Sequence, residues 1–144
     1  MNQGSSIDAL SGLPTFHGLR SVLTEATTAI FLDIDGFRFV NDRLGHAAGD
    51  DVLRGLGAWL KRTADALHGL SFRVAGDEFM LLLPGQTLND AAAIASRLVT
   101  PPLPRVTLSA VVFVAGPELP DQLRETLDTF AEKLYQHELS AGRA

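Results

Sequence analysis

The chain contains no cysteine. Disulfide staples and thiolate metal sites are therefore excluded, and a cytoplasmic home is the expected one. It also has no apolar run long enough to cross a bilayer, so no membrane contact is expected from it. The first six residues are polar and lack the apolar stretch of a secretory signal, so they are expected to form a flexible lead. Basic residues are outnumbered: 12 Lys and Arg stand against 17 Asp and Glu, a formal net charge of −5. That balance argues against a binder of nucleic-acid polymers, which needs a basic face. It leaves room for a small anion held through a metal ion, because a dication can bridge acidic side chains to phosphates.

Familiar nucleotide and hydrolase signatures are missing as well. There is no G-x-x-x-x-G-K-[ST] loop and no G-x-S-x-G elbow. Gly55-Leu56-Gly57 falls inside a helical pattern without a third glycine, so it is not a dinucleotide fingerprint. The run from Asp33 through Asp35 fails as a calcium loop, because Phe37 and Arg38 stand where an acid and a glycine are required.

What is present fits one domain over residues 1–144 with one core: 46% of the residues are apolar and 20% charged. Ala29-Ile30-Phe31-Leu32-Asp33-Ile34 is a compact apolar run, predicted as a strand buried on both faces. Two strand-like runs, 70–74 and 79–83, flank Gly76-Asp77, a two-residue hairpin turn. A third long run covers 106–114. Helices are predicted from Pro14, over 36–44, over about 50–67, over 88–98 with Thr87 or Asn89 as cap, and after Pro120 up to Gly142. The order predicts an α/β sandwich whose mixed sheet contains an antiparallel hairpin.

Two acidic places stand out. Asp33 and Asp35 end the buried strand, and Asp77 and Glu78 sit at the hairpin tip. Acids that converge on one sheet edge repel each other unless a cation lies between them. Hard oxygen ligands suit Mg²⁺, which takes one or two carboxylates and completes its shell with water and phosphate. Such a site can polarise a phosphoryl group and activate a hydroxyl, which points to metal-assisted phosphoryl or nucleotidyl transfer. The competing reading is that both pairs are solvated turn residues or helix caps.

Four segments, in order, resemble the GGDEF family of diguanylate cyclases. Asp8-Ala9-Leu10-Ser11-Gly12-Leu13-Pro14 is similar to its D-x-L-T-G-L-x opening. Leu32 to Asp42 is similar to D-x-D-x-F-K-x-x-N-D, and Gly45-His46-Ala47-Ala48-Gly49-Asp50 to G-H-x-x-G-D. Arg73-Val74-Ala75-Gly76-Asp77-Glu78-Phe79 is similar to R-x-G-G-D-E-F.

The resemblance implies a central, mostly antiparallel five-stranded sheet wrapped by helices, akin to nucleotidyl-cyclase and polymerase palm folds. It implies that Asp33, Asp77 and the Ile34 carbonyl hold Mg²⁺ or Mn²⁺, with Glu78 sharing in metal binding or facing the attacking 3′-hydroxyl. It implies Asn41 and Asp50 on guanine, Arg38 on phosphate, and Phe37, His46, Gly76 and Arg143 at the substrate. For His46 a purely structural hydrogen bond is an equal alternative. The implied reaction joins two GTP into cyclic di-GMP across a homodimer, and the family usually carries a sensory or receiver domain ahead of this one.

The sequence departs from the family at several places. Ala75 replaces the first signature glycine, Ser109-Ala110-Val111 differs from S-I-G, and Glu138 stands where a phosphate-binding Lys is usual. The R-x-x-D product site falls on Ala66 and Gly69, so it is expected to be absent. These departures motivate a second reading, a non-catalytic module that binds GTP or cyclic di-GMP and regulates a partner. A third is an interaction domain without a ligand.

Overall fold

The computed structural model describes residues 7–140, with side chains described to residue 132. A 3₁₀ turn at Phe16–Gly18 leads into α1 (Leu19–Val22). There follow β1 (Thr27–Ile34), α2 (Phe37–Leu44), α3 (His46–Ala66), β2 (Leu70–Ala75), β3 (Glu78–Leu82), α4 (Leu88–Leu98), β4 (Leu108–Ala115) and α5 (Leu119–Ser140). The sheet order is β2-β3-β1-β4, and every ladder in it is antiparallel.

The pleat of β1 sorts the core into two layers, because successive side chains point to opposite faces. Ile30, Leu32 and Ile34 meet Leu53, Leu56 and Leu60 of α3 and Ile94 and Leu98 of α4. Ala29 and Phe31 meet Leu119, Leu123 and Leu127 of α5, with Leu19 of α1. Helices thus cover both faces, and β1, in the middle, is the strand that the apolar run 29–34 predicts. Burying a Leu, Ile or Phe side chain contributes about 1.5–3 kcal/mol, so these two clusters dominate the favourable side of folding.

The α/β sandwich stands as expected, with differences in detail. Among the described residues the sheet has four strands rather than five. The parallel contribution is a single bridge between Thr15 and Arg73 at the β2 edge. Pro14 does not open a helix: its carbonyl accepts a hydrogen bond from the Arg73 amide at 2.9 Å, which holds the segment extended against β2. The long central helix begins at His46 rather than at about Asp50, because Gly45 alone separates it from α2, with φ 90° and ψ 162°. Thr87 is the cap of α4, in a reciprocal capping box with Asp90. The predicted end at Gly142 lies outside the described residues.

One polar assembly ties the N-terminal segment to the hairpin. Arg73 on β2 donates from Nη1 to both carboxylate oxygens of Asp8, at 3.0 and 2.9 Å. Its Nε and Nη2 donate to the Gly76 carbonyl in the hairpin turn, at 3.0 and 2.7 Å. Asp8 is further fixed by the Ser11 amide and hydroxyl, each at 2.8 Å. Burial works against the Asp8 carboxylate, but the Ser11 and Arg73 hydrogen bonds overcome it and hold its pKa below the usual carboxylate value. The side chains are only 14% and 22% exposed, so removing one leaves its partner short of hydrogen bonds.

Arg73→Ala and Asp8→Ala are each expected to lower unfolding stability by about 1–3 kcal/mol. The double variant should lose clearly less than the sum. Because the Asp8 pKa is depressed in the folded state, its contribution is present above the unfolded carboxylate pKa and fades as pH falls through the lower folded value. Urea unfolding at neutral pH, repeated in acid, checks both points, and strict additivity would dismantle the clamp.

Candidate functional site

The acids reach one place through two backbone devices. β1 ends at Ile34, and its amide donates to the Asp77 carbonyl at 3.1 Å, which pins the hairpin tip beside the strand end. Across the ladder Asp33 pairs with Glu78 on one side and with Ser109 on the other. The tip is the two-residue turn Gly76-Asp77, with Gly76 at φ +36°, a value glycine reaches without a Cβ penalty. Ala75 closes β2 opposite Glu78 and is not among the residues with positive φ. The added methyl therefore meets no conformational barrier.

The four carboxylates find different partners. Asp35 accepts hydrogen bonds from the Thr107 hydroxyl at 2.8 Å and the Ser109 hydroxyl at 2.6 Å. It fastens the β1 exit to β4. Glu78 meets both terminal nitrogens of Arg124 on α5, each at 3.2 Å. Asp33 and Asp77 make no ion pair among the described residues. Burial, reinforced by the charge and hydrogen bond of Asp77 and by the charges of Glu78 and Asp35, pushes the Asp33 pKa up to about 8. At neutral pH Asp33 thus prefers to keep its proton unless a cation compensates it.

These residues fit a hard divalent ion. Two adjacent carboxyl groups without a cationic partner are the donor type that Mg²⁺ or Mn²⁺ takes. Among the described residues no three His, Asp or Glu side chains close around a common point. The protein alone would therefore hold such an ion incompletely, leaving the rest of its shell to water and phosphate oxygens, as Mg²⁺ usually requires.

Beside the acids opens a cavity of about 410 Å³ lined by Phe37, Arg38, Asn41, Asp42, His46 and Asp77. Its wall is α2 and the start of α3. The abrupt turn at Gly45 folds α3 back on α2, bringing Asn41 next to Gly49, where a Cβ would collide with the Asn41 amide oxygen. Gly49 is therefore glycine because Asn41 occupies the space of its side chain. Phe37 also packs on the core, so it serves both wall and interior. Phe39 points away, 59% exposed, with the Arg43 guanidinium 4.7 Å above its ring.

Of the residues singled out in the sequence, the structure gathers Phe37, Arg38, Asn41, His46 and Asp77 around this cavity. Asp33, Ile34, Gly76 and Glu78 stand at the adjoining strand ends. Asp50 lies one turn beyond His46 on α3 and does not line the cavity. Arg143, and the Glu138 side chain, lie outside the described residues. Sequence reasoning missed Arg124 and the hydroxyls of Thr107 and Ser109. Arg124 sits in an ordinary amphipathic helix, and its only local sign is Asp128 four residues on.

Comparison with known proteins bears on the family and the fold. Residues 16–101 match the family described as diguanylate cyclase, GGDEF domain. YhcK of Bacillus subtilis, an uncharacterised protein, is 41% identical over 92 residues, covering 62% of this chain and 24% of that protein. The probable diguanylate cyclase DgcE of Escherichia coli is 43% identical over 74 residues, 49% of this chain and 6% of that protein. The chain thus corresponds to less than a quarter of the length of either relative. Among solved structures, the GGDEF domain of DgcB from Caulobacter crescentus, in complex with c-di-GMP, superposes with a TM-score of 0.73 at 22% identity. That match covers 94% of this chain and 92% of the other, and at that identity it speaks for the fold.

If Asp33 and Asp77 form a cation site, Mn²⁺ should raise the melting temperature, and Asp33→Asn should remove most of the rise. Occupancy at about 100 times the dissociation constant corresponds to about 2.7 kcal/mol of stabilisation. An equal rise in the variant, read by differential scanning fluorimetry, would place the ion elsewhere.

Proposed function

The chain belongs to the GGDEF domain family, and from that premise we propose that it is a diguanylate cyclase, condensing two GTP into cyclic di-GMP with release of two pyrophosphates. The observation that carries this reading is the polar cavity beside the uncompensated Asp33–Asp77 pair. A base pocket and a cation site in contact are what a nucleoside triphosphate needs.

In this reading Asn41, with Asp50 farther along α3, recognises guanine, and a base lacking matching groups leaves their polar atoms unpaired. Arg38 meets phosphate, which a guanidinium grips bidentately, and Arg143 is a further substrate-binding residue. His46 borders the base and Phe37 supplies the apolar wall. Gly76 lets the turn approach the substrate closely. Asp33, Asp77 and the Ile34 carbonyl hold Mg²⁺ or Mn²⁺. The ion, when bound, offsets charge on the phosphates. Glu78 faces the attacking 3′-hydroxyl.

Each domain holds one GTP, so two copies must face each other. The 3′-oxygen of one nucleotide then bonds to the α-phosphorus of the other while the bond to pyrophosphate breaks, and the second closure repeats this in the opposite sense. Catalysis is positioning and charge neutralisation. Ala75, as the last residue of β2, poses no backbone obstacle. Glu138 favours a second reading, since an acid in place of a phosphate-binding Lys weakens the grip on substrate. That reading is a receptor domain that binds GTP or cyclic di-GMP without turnover.

Purified protein incubated with GTP and Mg²⁺ at several protein concentrations should form cyclic di-GMP with a steeper than linear dependence on protein, as read by anion exchange and mass spectrometry. Asp77→Asn combined with Glu78→Gln should abolish product while the circular dichroism stays native. Nucleotide binding without pyrophosphate would decide for the receptor, and heat from neither nucleotide in calorimetry would end both readings.

Gly49→Ala isolates the role of Asn41. The substitution suits a helix by about 1 kcal/mol, yet it must displace the Asn41 side chain. GTP affinity is expected to fall about tenfold, the equivalent of one hydrogen bond. Unchanged affinity would remove Asn41 from the base site.

A further inference from the structure

The two acids of the hairpin tip have different neighbours. Asp77 lies with Asp33. Glu78 is the first residue of β3 and the cross-strand partner of Asp33, and like charges directly opposite each other in a ladder are unfavourable. Strand alternation puts Glu78 on the same face as Met80 and Phe31, the face that α5 covers. There Arg124 engages both carboxylate oxygens through Nη1 and Nη2. The guanidinium is itself aimed, since its Nε donates to Asp128 one turn on at 3.0 Å. Glu78 is 15% exposed and Arg124 54%, so the carboxylate is the enclosed partner and the arginine closes over it from the solvent side.

We infer that Arg124 is a positioning residue that withdraws Glu78 from the Asp33–Asp77 cation pair and reserves it for the substrate hydroxyl. The inference rests on the cyclase reading for the identity of that hydroxyl, but not for the withdrawal itself. An ionised carboxylate has about four acceptor sites. Arg124 takes two, one on each oxygen, and the rest remain open to a hydroxyl donor. Without Arg124, Glu78 has a nearer option: it stands beside Asp33, where a bound dication would attract a third carboxylate. The signature acids would then all be drawn to the ion, and none would be left for the nucleophile.

The test is a double-mutant cycle read by calorimetric Mn²⁺ titration and, separately, by turnover. Arg124→Ala should tighten Mn²⁺ binding several-fold in the wild-type background, because Glu78 joins the ion. The same substitution in a Glu78→Gln background should leave Mn²⁺ affinity nearly unchanged. Turnover by Arg124→Ala should fall about tenfold or more, as for loss of an outer-shell partner, with the KM for GTP little moved. Arg124→Lys, which keeps the charge but not the two-point grip, should lie between the two. An equal Mn²⁺ shift in both backgrounds would mean that only the loss of a nearby positive charge is felt, and it would overturn the inference. So would turnover that stays level or rises, which would make the contact idle or inhibitory. If the wild-type chain yields no cyclic di-GMP while the Mn²⁺ cycle behaves as expected, the cyclase reading falls and the withdrawal of Glu78 stands.

Discussion

Four carboxylates share the end of one buried strand and the hairpin tip beside it, and the rest of the site follows from how their repulsion is relieved. Each relief comes from a different element. Thr107, just before β4, and Ser109 on it supply hydroxyls to Asp35, and α5 supplies a guanidinium to Glu78. Among the described residues no cationic or hydroxyl side chain reaches Asp33 or Asp77, so the unrelieved repulsion falls on that pair and pushes the Asp33 pKa up. A cluster with a counter-ion for every acid would be a stable surface and chemically inert. A cluster with none would resist folding, because uncompensated buried charge is costly. The observed division is intermediate: Asp35 and Glu78 have partners, while Asp33 and Asp77 are left facing each other.

That division needs the hairpin tip to stay where it is, which is a matter for residues remote in sequence. Arg73 holds the Gly76 carbonyl with two nitrogens and Asp8 with a third. The N-terminal segment thereby braces the turn from outside while the Ile34 amide braces it from the strand side. The hydrophobic layers fix β1 and β3, but the turn residues Gly76 and Asp77 carry no apolar side chain with which to hold the turn. Polar bracing at both sides holds it, and through the Gly76 carbonyl it links Arg73 on β2 to the site.

Much of this was legible in the residues and some was not. The apolar run 29–34 announced a central strand, and Gly76-Asp77 announced the hairpin, because both signals are local. The convergence of the two acidic places was legible as well, since strand ends and turns share one sheet edge. The number of strands was not: the segment around Pro14 and Thr15 makes only an isolated parallel bridge, where the family resemblance implies a fuller sheet. The start of α3 was not legible, because Gly45 both ends α2 and admits α3 without a loop. Arg124 was invisible, because its partner lies 46 residues away and no periodicity in a single helix reports a contact across the sheet.

The substitution of Ala75 in the signature illustrates how letters and physics can diverge. Read as a string, a missing glycine at the heart of a motif suggests a damaged site. In the fold the position is the last rung of β2, paired with Glu78 and free of positive φ, whereas the turn glycine that does need its freedom is retained at Gly76. The reverse holds for Gly49, which sits in a helix where alanine would ordinarily be preferred. Its constraint comes from Asn41 and not from its own backbone. A departure from a family pattern therefore has to be weighed by what the side chain would touch. By that measure the changes near the hairpin are mild, because Ala75 meets no conformational barrier and Gly76 keeps the turn.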